Sequence, residues 1–321
     1  MKLSVFSPVF NGTSLEDMLK TLHEKGVQAV ELGTGGFPGT DHINPDNLID
    51  KPDEIKKIQD LLAKYEIEIC AFSCHGNAVH PDKKVAEKAN SDFEKTCILA
   101  EQMGIDTVIT FSGCPGGSPE DKTPNWVTGP WPDDFSEILD YQWNDVLIPY
   151  WKKAAEFAKS HGIKKIAFEM HPGFCVYNPE TMLRIRNEVG DILGANFDPS
   201  HLFWQGIDPV YAIRKLGDAI YHFHAKDTRI DDINTKTTGV LDTKHYSDEI
   251  HRAWIFRSVG YGHDYQCWKD MMSALRMVNY DGAISIEHED SLMTPMEGLT
   301  KAIEFLKDVI MFESKGEMWW A

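Results

Sequence analysis

The sequence has no long apolar run. No segment of the 321-residue chain approaches the roughly 20 consecutive apolar residues of a membrane-spanning helix, and the apolar run after Met1 is too short for a secretory signal peptide. These features argue against a membrane partner and predict a cytoplasmic protein.

Basic residues and cysteine motifs are also scarce. Asp and Glu number 50 against 32 Lys and Arg, and the resulting net charge of -18 disfavours nucleic acid as a partner. The six cysteines show no CxxC spacing, so we expect reduced thiols. No GxGxxG turn follows a first strand, which leaves dinucleotide binding by a doubly wound sheet without support.

What the sequence does contain is an alternation of strands and helices. Eight short apolar strands alternate with amphipathic helix patterns, several of which end at glycine. Eight such units in one chain predict an α/β protein made of a single (β/α)8 TIM barrel domain over residues 1–321. The predicted strands cover 3–7, 29–33, 68–73, 107–113, 165–171, 193–199, 220–227 and 282–290. The predicted helices cover 14–26, 52–67, 84–104, 150–162, 179–190, 208–217, 265–280 and 298–310.

Two connections, after strands 4 and 7, are too long for ordinary loops of a barrel. They span 113–140 and 227–263, and both carry large aromatic side chains that favour burial, such as Trp126 and Trp254. Because both follow strands, we expect them at the carboxyl face of the barrel, where long ordered loops cover a pocket. Trp126 is therefore a candidate for stacking on a sugar ring, with simple loop packing as the alternative.

The last four predicted strands all end in carboxylate or imidazole side chains. Within each strand, alternation separates the inward from the outward residues. If the polar face points inward, four of these side chains converge at the mouth of the barrel: Glu169, Asp198, His224 and Glu287. Three carboxylates and one imidazole suit one divalent ion, with Mn(II) first and Mg(II), Co(II) or Zn(II) as alternatives. Ordinary polar strand ends are the competing interpretation.

Six sequence segments carry a family resemblance. They are "SCHGNAVHP", "FEMHPGF", "NFDPSH", "HFHAKD", "VGYGHD" and "SIEHED". With them the chain resembles the xylose isomerase-like TIM barrel superfamily, which includes sugar isomerases and epimerases, endonuclease IV and the alpha subunits of C-glycoside deglycosidases. The resemblance implies that Glu169, Asp198, His224 and Glu287 are the metal ligands.

The same resemblance implies substrate contacts. His201 matches a substrate-contacting histidine of the ketose 3-epimerases, and His75 matches an extra histidine of the DNA-repair branch. Arg229 lies one residue short of the substrate-binding arginine of the epimerases, and Cys175 stands where they have a glutamate. Asp264 is a further candidate within a glycine-rich turn, with capping of the following helix as the alternative. Lys226 is either an electrostatic contact in the site or a salt-bridge partner of Asp227.

These residues predict proton abstraction next to a carbonyl. As a sugar isomerase or epimerase, the protein would use Glu169 and Glu287 as catalytic groups on opposite faces of the sugar. The first alternative is a lyase of the C-glycoside deglycosidase type, in which His171 is the base for β-elimination from a 3-oxo-glycoside. The second alternative is a non-catalytic sugar-binding barrel. We expect a sugar or glycoside as the small-molecule partner and a homo-oligomer, with a hetero-complex containing a small subunit as the alternative.

Overall fold

A closed barrel of eight parallel strands forms the centre of the molecule. The structure is a computed structural model that describes residues 1–320; Ala321, the last residue of the predicted domain, lies outside the described residues. In chain order the strands are β1 (Lys2–Phe6), β2 (Ala29–Gly33), β3 (Glu68–Ser73), β4 (Thr107–Thr110), β5 (Lys165–Glu169), β6 (Leu193–Phe197), β7 (Ile220–Ala225), β8 (Asp227–Ile230), β9 (Trp254–Arg257) and β10 (Ala283–Ile286). Around the barrel they follow the order β1-β10-β7-β6-β5-β4-β3-β2, which confirms the predicted (β/α)8 fold.

Helices follow most of the barrel strands. Their bounds are α1 (Leu15–Glu24), α2 (Pro45–Leu48), α3 (Pro52–Lys64), α4 (Lys83–Met103), α5 (Asp134–Asp140), α6 (Ile148–Ser160), α7 (Pro179–Val189), α8 (Pro199–Phe203), α9 (Pro209–Leu216), α10 (Asp232–Thr238), α11 (Tyr265–Met277) and α12 (Pro295–Val309). A π-helical segment, Tyr141–Leu147, joins α5 to α6, and short 3-10 turns occupy Ser7–Phe10 and Gly217–Ala219. No helix in residues 1–320 combines the length and apolarity needed to cross a membrane.

The long connections after strands 4 and 7 contain regular structure that the sequence patterns do not predict. Helical structure after β4 already begins at Asp134 and continues through the π-helical segment to Ser160, so the predicted helix at 150–162 begins too late. After β7, strands β8 and β9 form an antiparallel two-stranded sheet, with Asp227 opposite Arg257. A small apolar cluster joins this sheet to the end of α8, because Trp254 and Phe256 of β9 pack with Trp204, the residue that follows α8.

The two faces of the barrel strands differ in polarity. Leu3 and Val5 of β1 are fully buried in the main apolar core, as expected for strands covered by helices. The alternate residue Ser4 lies inside the barrel, where its hydroxyl contacts the thiol of Cys70 at 3.2 Å. Similar polar side chains continue through the interior toward the carboxyl ends of the strands: Glu31, Ser73, Asn196, His222, His224 and Ser285. The barrel interior thus leads from a polar network directly into the predicted metal site.

Candidate metal centre

The four predicted metal ligands lie at the carboxyl ends of four strands that are consecutive around the barrel. Glu169 is the last residue of β5, Asp198 directly follows β6, His224 lies near the end of β7 and Glu287 directly follows β10. One donor atom from each residue lies within 4.8 Å of the donor atoms of the other three. The strand ends position the quartet because the carboxyl ends of parallel strands meet at the same rim.

His224 occupies the middle of this quartet. Its Nδ1 is 3.0 Å from Oε2 of Glu287 and 3.3 Å from Oε2 of Glu169. Asp198 is fully buried, and its second oxygen, Oδ1, accepts a hydrogen bond of 2.8 Å from the amide of Ser200 at the start of α8. This cap fixes the carboxylate and leaves Oδ2 directed at the other ligands.

The residues present fit a divalent cation. Three of the inward atoms, Asp198 Oδ2, His224 Nδ1 and Glu287 Oε2, are buried and make no hydrogen bond of normal geometry within residues 1–320, although the ammonium of Lys226 approaches the two oxygens to 3.2 and 2.8 Å. Buried polar atoms without partners are costly, and a cation that accepts their lone pairs removes this cost. Three carboxylates and one imidazole are a donor set for Mn(II), Mg(II), Co(II) or Zn(II).

The carboxylates show how strongly the site needs positive charge. Burial raises the pKa of Asp198 to about 7, against the opposing effect of Lys226 and with reinforcement from the neighbouring Glu169 and Glu287. Burial also acts to raise the pKa of Glu287, but the charges of Lys226 and His224 outweigh it and lower that pKa to about 2. A cation bound among these groups therefore has to displace a proton from Asp198 near neutral pH.

His75 and His201 both contact the predicted metal ligand Glu169. The Nε2 atom of His75 lies 3.0 Å from Oε2 of Glu169, and Nε2 of His201 lies 3.0 Å from Oε1 of the same carboxylate. Burial, with the charges of His171 and Lys226, lowers the pKa of His201 to about 3, so its imidazole is neutral and donates one hydrogen bond. His75 also lines the cavity above the metal ligands.

Lys226 contacts two of the predicted metal ligands. Its ammonium lies 2.8 Å from Oε2 of Glu287, 3.2 Å from Oδ2 of Asp198 and 2.9 Å from Oε2 of Glu289. The alternative pairing with Asp227 is wrong, because that carboxylate is occupied elsewhere. Burial acts to lower the pKa of Lys226, but the surrounding carboxylates raise it well above the usual value, so the ammonium keeps its charge.

A cavity of about 410 Å³ opens above the quartet. Its polar floor contains Glu169, Glu287 and Lys226, and its walls carry apolar side chains, among them Phe6, Phe37, Phe111 and Phe174. The rings of Phe111 and Phe174 stack with centroids 4.2 Å apart, which makes one wall flat and aromatic. The cavity therefore offers charged groups to one side of a ligand and an apolar surface to the other.

His171 lines this cavity beside Glu169. Its Nδ1 lies 2.5 Å from the carbonyl oxygen of Pro172. Because a carbonyl only accepts hydrogen bonds, Nδ1 carries the proton and Nε2 keeps a free lone pair. Burial lowers the pKa of His171, which keeps the imidazole neutral and able to accept a proton.

Three predicted substrate contacts lie outside this cavity. Arg229 is exposed and lines a separate cavity beside the β8–β9 sheet. Asp264 caps α11 by accepting a hydrogen bond of 3.0 Å from the amide of Cys267, as the alternative interpretation predicts. Trp126 packs edge-on against Tyr177 with ring centroids 5.5 Å apart. The structure places none of these three on the walls of the cavity above the quartet.

The glycine-rich "VGYGHD" motif owes its shape to Asp227. This fully buried carboxylate accepts hydrogen bonds from the amides of Gly260, Gly262 and His263 at 3.1, 3.0 and 2.9 Å, and from Nδ1 of His263 at 2.7 Å. A Cβ atom at Gly262 would lie 2.3 Å from the carbonyl oxygen of Thr228, so the close approach requires glycine. The motif encircles a side chain of the protein itself, which leaves its amides unavailable to an external anion.

Sequence reasoning missed Glu31. This residue of β2 is fully buried, and both carboxylate oxygens lie 3.0 Å from Nε2 of His224, on the side opposite the other metal ligands. The one signal in the sequence is an acidic residue in the middle of the apolar segment "AVELG", at a position whose neighbours Val30 and Leu32 face the core. A strand with a buried carboxylate points to a partner inside the barrel.

Comparison with known proteins identifies the family. The model of the family described as "Xylose isomerase-like TIM barrel" matches residues 19–309, most of the chain. This chain belongs to that family. The resemblance carried by the strand-end motifs is thereby confirmed.

Similar proteins match this chain over most of its length. The uncharacterized protein YfiH of Bacillus subtilis (strain 168) is 42% identical over 97% of this chain and 99% of its own length. An inosose dehydratase of Mesomycoplasma hyopneumoniae (strain 7448) is 25% identical over 87% of both chains. A crystal structure of the IolI protein with a binding zinc atom has a TM-score of 0.65 at 19% identity, covering 97% of this chain and 98% of that chain. At this identity the structural likeness shows the fold alone.

Proposed function

We propose that this protein is a divalent-metal-dependent lyase. It removes the proton next to the ketone of a polyhydroxylated, sugar-like substrate and then expels a group from the adjacent carbon. The observation that carries the proposal is the neutral imidazole of His171, with a free Nε2, on the wall of a cavity whose floor holds the quartet of metal ligands. A base and a Lewis-acid site then face the same bound ligand.

The donor set determines what the ion contributes. Glu169, Asp198, His224 and Glu287 would hold it, and a bound divalent ion supplies polarisation of the ketone oxygen, which makes the neighbouring C–H bond more acidic. Mn(II) is the first ion to test, because three of the four donors are carboxylates; Mg(II), Co(II) and Zn(II) are the alternatives.

The protein's own residues supply the proton chemistry. His171 takes the proton from carbon at Nε2, and the buried ammonium of Lys226 stabilises the negative charge that develops on the substrate oxygen. The electron pair of the broken C–H bond forms the new double bond, and the bond to the leaving group breaks with its pair. The proton held by His171 then passes to the departing oxygen or carbon, so the elimination is balanced without a further reactant.

Three observations support elimination over epimerisation as the proposed reaction. Both oxygens of Glu169 already accept hydrogen bonds from His75 and His201, which leaves this carboxylate poorly placed to exchange protons with a substrate. Cys175, at the position where ketose epimerases have a glutamate, is buried against Cys114 and does not line the cavity. The similarity to an inosose dehydratase over 87% of both chains also supports elimination over epimerisation.

A sugar isomerase or epimerase is the second candidate. Glu169 and Glu287 approach Nδ1 of His224 from different strands, at 3.3 and 3.0 Å, so the two carboxylates flank the proposed ion. Two acid–base groups on different sides of a substrate are the requirement for inversion at carbon. Glu287 retains partial exposure to the cavity, with 14% of its side chain accessible.

The cavity walls indicate the kind of substrate. The stacked pair of Phe111 and Phe174, together with Phe37, offers a flat apolar surface opposite the charged floor. A ring with hydroxyls on one face and C–H groups or an aryl substituent on the other matches both surfaces. We therefore propose a cyclic keto-polyol or a 3-oxo-glycoside as the substrate. The homo-oligomer remains a prediction, which light scattering of the purified protein tests.

The test is proton exchange in deuterated water. The metal-loaded protein is incubated with cyclic keto-polyols, 3-oxo-glycosides and free ketoses, and C–H exchange and products are followed by NMR. For the lyase we expect loss of water or aglycone, and a decrease of about 10²–10⁴-fold in His171→Gln. The metal content of His171→Gln should equal that of the parent, whereas Glu169→Gln should lose the ion.

His288→Gln is the matched control, because this half-buried imidazole, two residues after β10, lies outside the cavity lining. Its rate should equal that of the parent. Exchange into a free ketose that survives His171→Gln but not Glu287→Gln would replace the lyase by the second candidate. If the metal-loaded protein exchanges no proton with any of these compounds, both enzymatic proposals are refuted, and the non-catalytic sugar-binding barrel becomes the interpretation.

A further inference from the structure

A buried carboxylate lies behind the imidazole at the centre of the metal ligands. Glu31 projects from β2 into the barrel interior and reaches His224 on β7, so the two residues come from strands that are not neighbours in the sheet. Both Oε1 and Oε2 of Glu31 are 3.0 Å from Nε2 of His224. The opposite nitrogen, Nδ1, is the one that faces Glu169 and Glu287.

Hydroxyl groups on two further strands hold the carboxylate of Glu31 in place. Ser285 on β10 donates a hydrogen bond of 2.8 Å to Oε2, and Ser73 on β3 donates to Oε1. All three residues are fully buried. With its oxygens fixed by hydroxyl groups of β3 and β10, Glu31 presents an acceptor to His224 at a defined position. The imidazole nitrogen that faces this acceptor, Nε2, must therefore be the one that carries a proton.

We propose that Glu31 is a positioning residue of the metal centre: it holds His224 in the tautomer with hydrogen on Nε2, so that the lone pair of Nδ1 points at the ion. The inference rests on the proposed metal centre but not on the reaction carried out there. A carboxylate that accepts the second N–H of a metal-bound histidine fixes the ring orientation and makes the ligating nitrogen more basic. Glu31 has this relation to His224 without touching the other three ligands.

A second ion held by Glu31, His222 and His224 is the competing interpretation, since their donor atoms also lie within 4.8 Å of one another. Three observations argue against it. The oxygens of Glu31 already accept hydrogen bonds from two serines. Nε2 of His222 is 3.6 Å from Oε2 of Glu31, farther than Nε2 of His224 at 3.0 Å. The Nδ1 atom of His222 forms a hydrogen bond of 3.1 Å with Oδ1 of Asn196.

The experiment measures the affinity for Zn(II) and the tautomer of His224 in the full-length chain. Chelator competition gives the dissociation constant of the parent, of Glu31→Gln and of the control Glu68→Gln, which makes the same change in an exposed carboxylate at the start of β3 that pairs with Lys2. We expect Glu31→Gln to bind Zn(II) about 10–100-fold more weakly. Glu68→Gln should keep the affinity of the parent.

The tautomer is read directly by long-range ¹H–¹⁵N NMR of the Zn(II)-loaded parent with labelled histidine, and His224→Asn assigns the signal. We expect hydrogen on Nε2 with a strongly hydrogen-bonded shift, and metal at Nδ1. Because this measurement needs no change at Glu31, it decides the question even if Glu31→Gln does not fold.

Several results would overturn the proposal: hydrogen on Nδ1 of His224, an affinity of folded Glu31→Gln equal to that of the parent, or two ions per chain. A parent protein that binds no divalent ion would overturn it together with the metal centre. A parent that binds one ion tightly but turns over no substrate would refute the lyase alone, since the affinity and the tautomer remain measurable.

Discussion

Asp198 should make metal binding strongly dependent on pH. Burial raises the pKa of this carboxyl to about 7 in the metal-free site, although Lys226 opposes the shift. Above that pH the carboxylate is ionised and ready to bind, and below it the ion has to displace a proton. Lowering the pH from 8 to 6 should therefore weaken binding.

The size of the effect follows from one proton. For a ligand with a pKa of about 7, protonation costs about tenfold in apparent affinity at pH 6 and almost nothing at pH 8, a difference of about 1.4 kcal/mol. His224 increases the dependence. Burial acts to lower its pKa, but Glu31 and Glu287 raise it well above 6.5, so a second proton has to leave before Nδ1 can bind.

The assay is chelator competition with Zn(II) at pH 6, 7 and 8, after correction for the pH dependence of the chelator. Titration calorimetry in buffers of different ionisation enthalpy counts the released protons directly. In Asp198→Asn we expect weaker binding and a pH dependence that is smaller by about one proton, since the amide keeps an oxygen donor but does not titrate. An affinity that stays constant from pH 6 to pH 8 in the parent would refute the reasoning.

Two further predictions concern residues around the site. Asp227→Asn should lower the free energy of unfolding by about 3 kcal/mol in denaturant titrations. Either orientation of the new amide turns its NH₂ group toward N–H donors that now contact Asp227. An unchanged unfolding midpoint would contradict a stabilising role of Asp227 in the "VGYGHD" loop. Arg229→Gln, Asp264→Asn and Trp126→Phe should leave KM and kcat at the parent values, because none of these side chains lines the cavity above the metal ligands; a rise of KM in any of them would return that residue to the substrate site.

The regular part of the fold could be predicted from the sequence. Apolar segments bounded by glycine and polar residues correctly predict all eight barrel strands, because each strand is buried between the barrel interior and the helices. The predicted ends run too far, however. The segment 165–171 is paired only to Glu169, and the segment 282–290 only to Ile286, because the chain leaves the sheet where its side chains turn to the centre of the barrel.

The candidate site was predictable where it depends on strand alternation, and not where it depends on loop packing. The quartet follows from the alternation and from the common rim of the strands, which is why Glu169, Asp198, His224 and Glu287 do converge. The position of Arg229 depends on the β8–β9 sheet, which the sequence patterns do not predict. Glu31 was missed because a single acidic residue in a short apolar strand has no periodic signal.

The origin of the four ligands has a consequence for the dynamics of the barrel. They come from β5, β6, β7 and β10, which are consecutive around the ring, whereas β1 to β4 supply none of the four. An ion bound there would join one half of the barrel and leave the other half held by hydrogen bonds and apolar packing alone. Chelation should then accelerate amide hydrogen exchange in β5, β6 and β7 more than in β3 and β4. Comparing hydrogen exchange with and without the ion would therefore show which half of the barrel opens first.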